Sequence, residues 1–133
     1  GASVKHYMAN SQETDRALVS SNIDERTLRE VYLKAFEMVV KEAKPRTVMC
    51  SYNKINEVYS SENSWLLSDI LRKEWGYEGL VMSDWGAVHN RGMGVEAGLD
   101  LEMPGSKGAN DKKLKEALAL FYICAVFRKF KYI

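Results

Sequence analysis

Short apolar runs alternate with helical patterns along this 133-residue chain, and that alternation limits its possible folds more than any other feature. Each run is short and apolar and is bounded by polar or helical sequence, so we interpret it as a strand. Strands that alternate with helices predict right-handed βαβ units and a parallel sheet. The expected fold class is therefore α/β, with about four βα units. The predicted strands are Ala2–Lys5, Thr47–Ser51, Leu80–Ser83 and Leu99–Glu102.

The longest helical pattern lies between the first two predicted strands. Asp24 is a good N-cap for a helix over about Glu25–Lys44, and Pro45 stops that helix. Apolar residues recur along one face of it at the i, i+3, i+4 spacing of an amphipathic helix. The other predicted segments are polar loops at Ser11–Asn22 and Asn53–Glu62, helices at about Asn63–Trp75 and Ala87–Ala97, and a final helix from about Asp111.

Composition and charge exclude several classes of partner. The chain has 46% hydrophobic residues, which is ordinary for a globular protein, and a formal net charge of +1. This small charge gives no electrostatic basis for binding nucleic acid or an anionic membrane. Cys50 and Cys124 are far apart and have no metal-type spacing. We therefore expect no nucleic acid, no membrane, no metal and no cofactor.

The two ends of the chain set further expectations. No signal peptide is recognisable in Gly1–Val4 and the cysteines demand no oxidising compartment, so a cytoplasmic location is favoured. Because the chain opens on Gly1 rather than on Met, we expect it to begin inside a larger protein. The run Leu118–Phe127 is almost continuously apolar, but its ten residues are too few to span a bilayer. We interpret it as a buried helix end or an altered terminus.

The third predicted strand ends in a carboxylate that is followed at once by an indole. In Gly79–Trp85 an apolar run leads to Asp84 and Trp85. Charge at the carboxyl end of a buried parallel strand is costly unless a ligand or a reaction uses it. An indole face beside a carboxylate is well suited to holding a sugar ring, because the apolar C–H face of the sugar packs on the indole. A strand-end Asp is also often a helix cap or a structural hydrogen-bond acceptor.

Four motifs connect this site to a known family. The chain reads K-H-Y-x-x-N-x-Q-E-x-x-R, then V-M-C-S-Y-N, then E-W-G-Y-E-G-L-V-M-S-D-W, and finally G-L-D-L-E-M-P. In content and order these segments resemble the signatures of glycoside hydrolase family 3. Within that family they are similar to those of the bacterial β-glucosidases. The segments are Lys5–Arg16, Val48–Asn53, Glu74–Trp85 and Gly98–Pro104.

The resemblance implies a fold and its boundaries. The family's catalytic domain is a TIM-like (β/α)8 barrel, which typically needs about 250 residues, so four βα units make half of it. Residues 1–105 are expected to be the C-terminal half of that barrel, and residues 106–133 a divergent terminal helix or tail. The earlier strands, and the α/β-sandwich domain that follows the barrel in this family, lie outside the sequence. A half-barrel has open edges, through which self-association is expected.

The resemblance also implies an activity. It predicts hydrolysis of terminal β-D-glucosidic bonds by a retaining double displacement, with Asp84 as the nucleophile and a β-glucoside or oligosaccharide as substrate. In these β-glucosidases the general acid/base usually comes from the second domain, so we expect this chain to have little activity alone. The alternative is a non-catalytic sugar-binding or assembly module derived from such a barrel.

Six further residues are candidates for substrate binding, each with a structural alternative. Lys5 and His6 match family residues that contact sugar hydroxyls, although a solvated lysine and a core histidine are the ordinary interpretations. Tyr52 matches a tyrosine near the nucleophile but is also a plausible core aromatic. Arg16 either reaches the sugar or supports its loop by pairing with Glu13. Trp85 is expected to form a sugar-facing wall, whereas for Met49 the filling of the core is the stronger alternative. The full set is Lys5, His6, Arg16, Met49, Tyr52 and Trp85.

Overall fold

The computed structural model describes residues 1–116, 118 and 119, and within them two sheets are formed. The main sheet has the strand order β1-β3-β6-β7, and every neighbouring pair in it is parallel. The small sheet has the order β2-β4-β5. The predicted α/β class with four parallel strands is confirmed. The strands are β1 (Ser3–Tyr7), β2 (Ser20–Ser21), β3 (Thr47–Cys50), β4 (Lys54–Ile55), β5 (Val58–Tyr59), β6 (Leu80–Trp85) and β7 (Leu101–Met103).

Helical segments connect the strands of the main sheet. The long helix predicted after the first strand begins at its expected cap, because the Asp24 carboxylate accepts hydrogen bonds from the Thr27 N–H at 3.0 Å and the Thr27 hydroxyl at 2.7 Å. It ends at Lys44, whose φ of 47° leads into Pro45. The segments are α1 (Glu25–Thr27), α2 (Lys34–Met38), α3 (Arg91–Ala97), wider π-helical stretches at Leu28–Tyr32, Val39–Ala43 and Trp65–Glu74, a 3₁₀ turn at Ser60–Glu62, and helical backbone over 109–116.

The core lies between one face of the main sheet and the helices. Val48 and Val81 are fully buried there, and the ring of Tyr7 packs edge-on against Phe36 at 5.1 Å and Trp75 at 6.0 Å between ring centroids. The main-sheet residues that also belong to this core cluster are Tyr7 and Cys50, and the residues of the helical segments are Leu28, Leu33, Val40, Leu66, Leu67, Ile70, Leu71 and Ala97.

The opposite face of the main sheet is only partly covered. Met49 and Met82 are paired across β3 and β6 and are half-buried, while Leu80 and Leu101 are exposed. In the described residues β1 and β7 each have one unpaired edge. This arrangement is that of a barrel opened along its length, since a closed barrel has no edges and fills its interior with such side chains.

Both predicted polar loops contain strands that the sequence pattern did not reveal. The segment predicted as the loop Asn53–Glu62 folds into a hairpin of β4 and β5, followed by the 3₁₀ turn, and β2 from the earlier loop pairs with β4. The hairpin turn residues Asn56 and Glu57 have φ values of 48° and 70°, as a tight two-residue turn requires. The helix predicted from Ala87 begins only at Arg91, because Asn90 caps it.

The main sheet is interrupted at two places by one extra residue. Val4 and Tyr7 are partners of Val48 and Cys50, so β1 has one residue more than β3 over that interval. The same surplus occurs in β6 relative to β7. Irregularities of this kind are β-bulges, which locally re-aim side chains. The two bulged intervals contain Lys5–His6 in β1 and Ser83–Asp84 in β6.

Candidate active site

The predicted site residues gather at the carboxyl rim of the main sheet. His6 lies near the end of β1, Tyr52 follows β3 by two residues, and Asp84 and Trp85 end β6. Because these three strands are parallel neighbours, their carboxyl ends meet at one rim. The structure therefore brings together residues that are up to 79 positions apart in sequence, from His6 to Trp85.

The bulge in β6 gives Asp84 its orientation. A regular strand points consecutive side chains to opposite faces, yet Ser83 and Asp84 are both buried. The Ser83 hydroxyl accepts a hydrogen bond from the Met103 N–H at 2.8 Å and so takes the place of a missing ladder contact. The extra residue thus frees Asp84 to project at the rim while the pairing with β7 resumes at Trp85.

Asp84 is a buried carboxylate held by two groups. Only 9% of the residue is exposed. Its Oδ1 accepts a hydrogen bond from the Trp85 N–H at 2.7 Å, and its Oδ2 lies 3.3 Å from His6 Nε2. Both oxygens of the Asp84 carboxylate therefore have a partner, the backbone amide of Trp85 on one side and the imidazole of His6 on the other.

Tyr52 connects the loop after β3 to the end of β6. Its hydroxyl donates a hydrogen bond to the Trp85 carbonyl at 2.9 Å. Burial and the negative charge of Asp84 raise the pKa of Tyr52 above its ordinary value, so the phenol keeps its proton and remains a donor. The guanidinium of Arg16 lies 4.5 Å from the centroid of the Tyr52 ring and pairs with Glu13 at 2.7 Å.

The other predicted residues have different surroundings. Trp85 is 62% exposed, so its indole is available to a ligand at the rim. Lys5 is exposed, and Met49 is half-buried on the open face of the sheet. Within the described residues neither Lys5 nor Met49 forms a hydrogen bond or ion pair with Asp84. The geometry thus brings His6, Tyr52 and Trp85 to Asp84 and leaves Lys5 and Met49 outside its polar contacts.

Sequence reasoning missed a buried carboxylate beside this site. Glu62, in the 3₁₀ turn, is 9% exposed and accepts hydrogen bonds from the N–H groups of His89 and Asn90. The imidazole of His89 stacks on Tyr59 with 3.6 Å between ring centroids. These contacts join residues that are 27 to 30 positions apart in the sequence, and the polar sequence around Glu62 carries no periodic signal that predicts them.

Metal-binding clusters and membrane-spanning helices are absent from the part of the chain that the structure describes. Among residues 1–116, 118 and 119, no group of three or more His, Cys, Asp or Glu side chains is placed to hold a metal ion. No helix in that same part of the chain is long and apolar enough to cross a membrane. The apolar run Leu118–Phe127 and the predicted tail fall largely outside the described residues.

Comparison with known proteins gives a consistent set of relatives. Residues 1–120 match the family model described as the glycosyl hydrolase family 3 N terminal domain. An exo-α-(1→6)-L-arabinopyranosidase from Bifidobacterium longum is 60% identical over 106 residues, which are 80% of this chain and 14% of that protein. The thermostable β-glucosidase B of Acetivibrio thermocellus is 55% identical over 118 residues, 89% of this chain and 16% of that protein.

Solved structures show the same relationship. The family 3 β-glucosidase of Bifidobacterium adolescentis superimposes with a TM-score of 0.83 at 59% identity, covering 88% of this chain and 17% of that one. β-Glucosidase 3B of Thermotoga neapolitana, solved with α-D-glucose, gives a TM-score of 0.87 at 46% identity and covers 92% of this chain and 18% of that one. The chain thus spans between 14% and 18% of the length of these four relatives.

The parallel sheet, its helical layer and the groups at its carboxyl rim define the chain as part of a TIM-like (β/α) barrel. It belongs to glycosyl hydrolase family 3 and corresponds to a part of that family's N-terminal domain.

Proposed function

We propose that this chain supplies the nucleophile half of the active site of a retaining β-glucosidase. The observation that carries the proposal is the buried Asp84 carboxylate at the carboxyl rim, 3.3 Å from His6 Nε2 and directly beside the exposed indole of Trp85. Strand-end residues at this rim are where barrels of this type place their chemistry. We further propose that residues 1–105 are barrel and residues 106–133 a divergent extension.

In the proposed reaction the Asp84 carboxylate attacks the anomeric carbon of the substrate. The carbon–oxygen bond to the leaving group breaks as the new ester bond forms, and a second carboxyl group protonates the departing oxygen. Water then hydrolyses the glycosyl-enzyme ester and restores the Asp84 carboxylate. His6 and Trp85 hold the sugar, and Tyr52 fixes the backbone at Trp85. The acid/base lies outside this chain, so residues 1–133 alone have little or no turnover.

The proposal also concerns which sugar stands at the non-reducing end of the substrate. The relatives include β-glucosidases and an arabinopyranosidase, and the two substrate classes present different pyranose rings to the same carboxylate. We propose a β-D-glucoside, because three of the four relatives described above are named β-glucosidases. Parallel assays with p-nitrophenyl β-D-glucopyranoside and p-nitrophenyl α-L-arabinopyranoside distinguish the two.

The experiment requires a complete barrel. In the Bifidobacterium adolescentis β-glucosidase, residues 1–105 of this chain replace the aligned segment, which gives a full-length protein that we call the chimera. A 2-fluoro-glucoside should label the chimera on the peptide that contains Asp84. Asp84→Asn keeps nearly the same shape but removes the nucleophile, so the rate should fall roughly a thousandfold or more, about 4 kcal/mol of barrier.

A matched variant controls for the change of charge. Asp69→Asn alters an exposed helical carboxylate that pairs with Lys73, and surface pairs of this kind contribute little. It should leave the rate unchanged. Labelling of another peptide, near-normal turnover by Asp84→Asn, or a folded chimera that binds glucose without turnover would contradict the proposal. The last result would favour a sugar-binding module.

A further inference from the structure

The carboxylate of Glu62 makes an unusual pair of contacts for a buried acid. A single oxygen, Oε1, accepts hydrogen bonds from the His89 N–H at 2.9 Å and the Asn90 N–H at 2.6 Å. Hydrogen bonds to an ionised acceptor are shorter and about twice as strong as neutral ones. Glu62 therefore holds two successive peptide groups of the segment that leaves the end of β6.

That segment, residues 86–90, is the continuation of the site itself, and we call it the 86–90 loop. It begins directly after Asp84 and Trp85 with Gly86, whose φ of 75° turns the chain out of the strand. The Ala87 N–H donates a hydrogen bond to the Asp84 carbonyl at 3.2 Å. The position of the 86–90 loop therefore sets the backbone direction of both site residues.

Neighbouring residues of the same turn and hairpin hold the loop at further points. The Ser61 hydroxyl donates a hydrogen bond to the Ala87 carbonyl at 3.0 Å. The imidazole of His89 stacks on the Tyr59 ring, whose plane is inclined by 16° to it. Tyr59, Ser61 and Glu62 are consecutive or nearly so, and together they fix the loop from Ala87 to Asn90.

The contacts of Glu62 hold a part of the loop whose residues are exposed. His89 and Asn90 are both exposed, and Glu62 and Tyr59 contact them from the neighbouring turn and hairpin. Burying a carboxylate costs free energy, and two backbone N–H donors on one oxygen offset that cost. The same two hydrogen bonds also restrict the loop that follows Asp84 and Trp85.

We propose that Glu62 is a positioning residue that holds the 86–90 loop and, through it, the Asp84 carboxylate and the Trp85 indole in their reactive arrangement. This inference rests on the proposed role of Asp84. A nucleophile misplaced by about 1 Å can cost a hundredfold in rate. Glu62→Ala in the chimera should therefore lower kcat by about a hundredfold. Glu62→Gln keeps an acceptor oxygen and should lose only about tenfold.

The test compares these two variants with Glu57→Gln, which changes an exposed glutamate in the hairpin turn five residues earlier. For each variant kcat, KM, the rate of 2-fluoro-glucoside labelling, the melting temperature and amide hydrogen exchange are measured. We expect faster exchange at His89 and Asn90 and slower labelling of Asp84 in both Glu62 variants, graded from Gln to Ala. The Glu57 variant should match the chimera in every measurement.

The outcomes separate this inference from the proposed function. Normal labelling rates in Glu62→Ala, despite faster exchange at His89 and Asn90, would overturn the positioning role. The positioning role would also be overturned if activity fell together with faster amide exchange throughout the barrel. The substitution would then act by lowering the stability of the whole domain and not by moving the loop. Labelling away from Asp84, or an active Asp84→Asn variant, instead overturns the proposed function and leaves the exchange data to decide whether Glu62 holds the loop.

Discussion

His6 Nε2 and Asp84 Oδ2 lie 3.3 Å apart although their strands, β1 and β6, are separated by β3. Two bulges make this approach possible, since each of the two residues lies in an interval with one residue more than its neighbouring strand. The site is therefore formed by irregularity in the sheet and not by its regular alternation.

Loss of the His6 imidazole should weaken the chemical step. In the chimera we expect His6→Ala to reduce kcat/KM by about 10- to 100-fold, because a contact to a charged group contributes roughly 1.5–3 kcal/mol. His6 is half-exposed, so the melting temperature should change little. Steady-state kinetics and a thermal melt on the same preparation check both points. An unchanged kcat/KM would mean that the imidazole does not serve the carboxylate.

We expect the hydroxyl of Tyr52 to support both stability and activity by holding the backbone of Trp85. Tyr52→Phe removes the 2.9 Å hydrogen bond and should cost about 1 kcal/mol of stability together with part of the activity. Tyr32→Phe is the matched control, because Tyr32 is half-buried against the core on the helical side of the sheet. Denaturant unfolding and kinetics of the two variants should differ. Equal behaviour would assign Tyr52 a packing role only.

The thiol of Cys50 should remain protonated well into the alkaline range. Burial raises the pKa of Cys50 from 9.0 to about 12. In the unfolded chain the thiol ionises near its ordinary pKa, so the unfolded state binds fewer protons and stability falls as the pH rises above that value. At a pH between the two values iodoacetamide should spare Cys50 until a denaturant is added. Mass spectrometry of its peptide measures this, and rapid labelling of the folded protein would contradict it.

The open sheet should cause the isolated chain to self-associate. Within the part of the chain that the structure describes, β1 and β7 each have an unpaired edge, and the side chains of Leu80 and Leu101 are exposed to other molecules. Leu101→Lys places a charge on the β7 edge and should shift residues 1–133 towards monomer in sedimentation velocity. Leu18→Lys, at an exposed loop position, should not. A compact monomer with a cooperative melt in the unmodified chain would refute the expectation.

The central strands of the main sheet, β3 and β6, were predictable because each contains an apolar run of several residues. The small sheet was not, since β4 and β5 have two residues each and no period can be recognised over so short a length. The turn between them uses Asn56 and Glu57 at positive φ, whereas glycine is the usual signal there. The sequence therefore predicts a loop where the structure has the hairpin of β4 and β5.

The sequence indicates candidate residues for the site but not the geometry that the structure gives them. Asp84 and Trp85 stand out as polar and aromatic groups at a strand end, and the motifs point to His6 and Tyr52. The bulge at Ser83–Asp84 leaves no mark in the sequence, because a strand with an extra residue reads like a slightly longer strand. Contacts such as that of Glu62 with Asn90 depend on tertiary proximity that a local pattern does not encode.

The extra residue in β6 is needed to orient the Asp84 carboxylate but not to pair the strand with β7. Without the additional residue β6 and β7 could form an uninterrupted ladder, and regular alternation would point the acid and its neighbour to opposite faces. The additional residue is thus not needed for a continuous sheet. Its removal should restore regular pairing with β7 and turn the acid away from the rim, so one inserted residue decides whether this strand presents a carboxylate there.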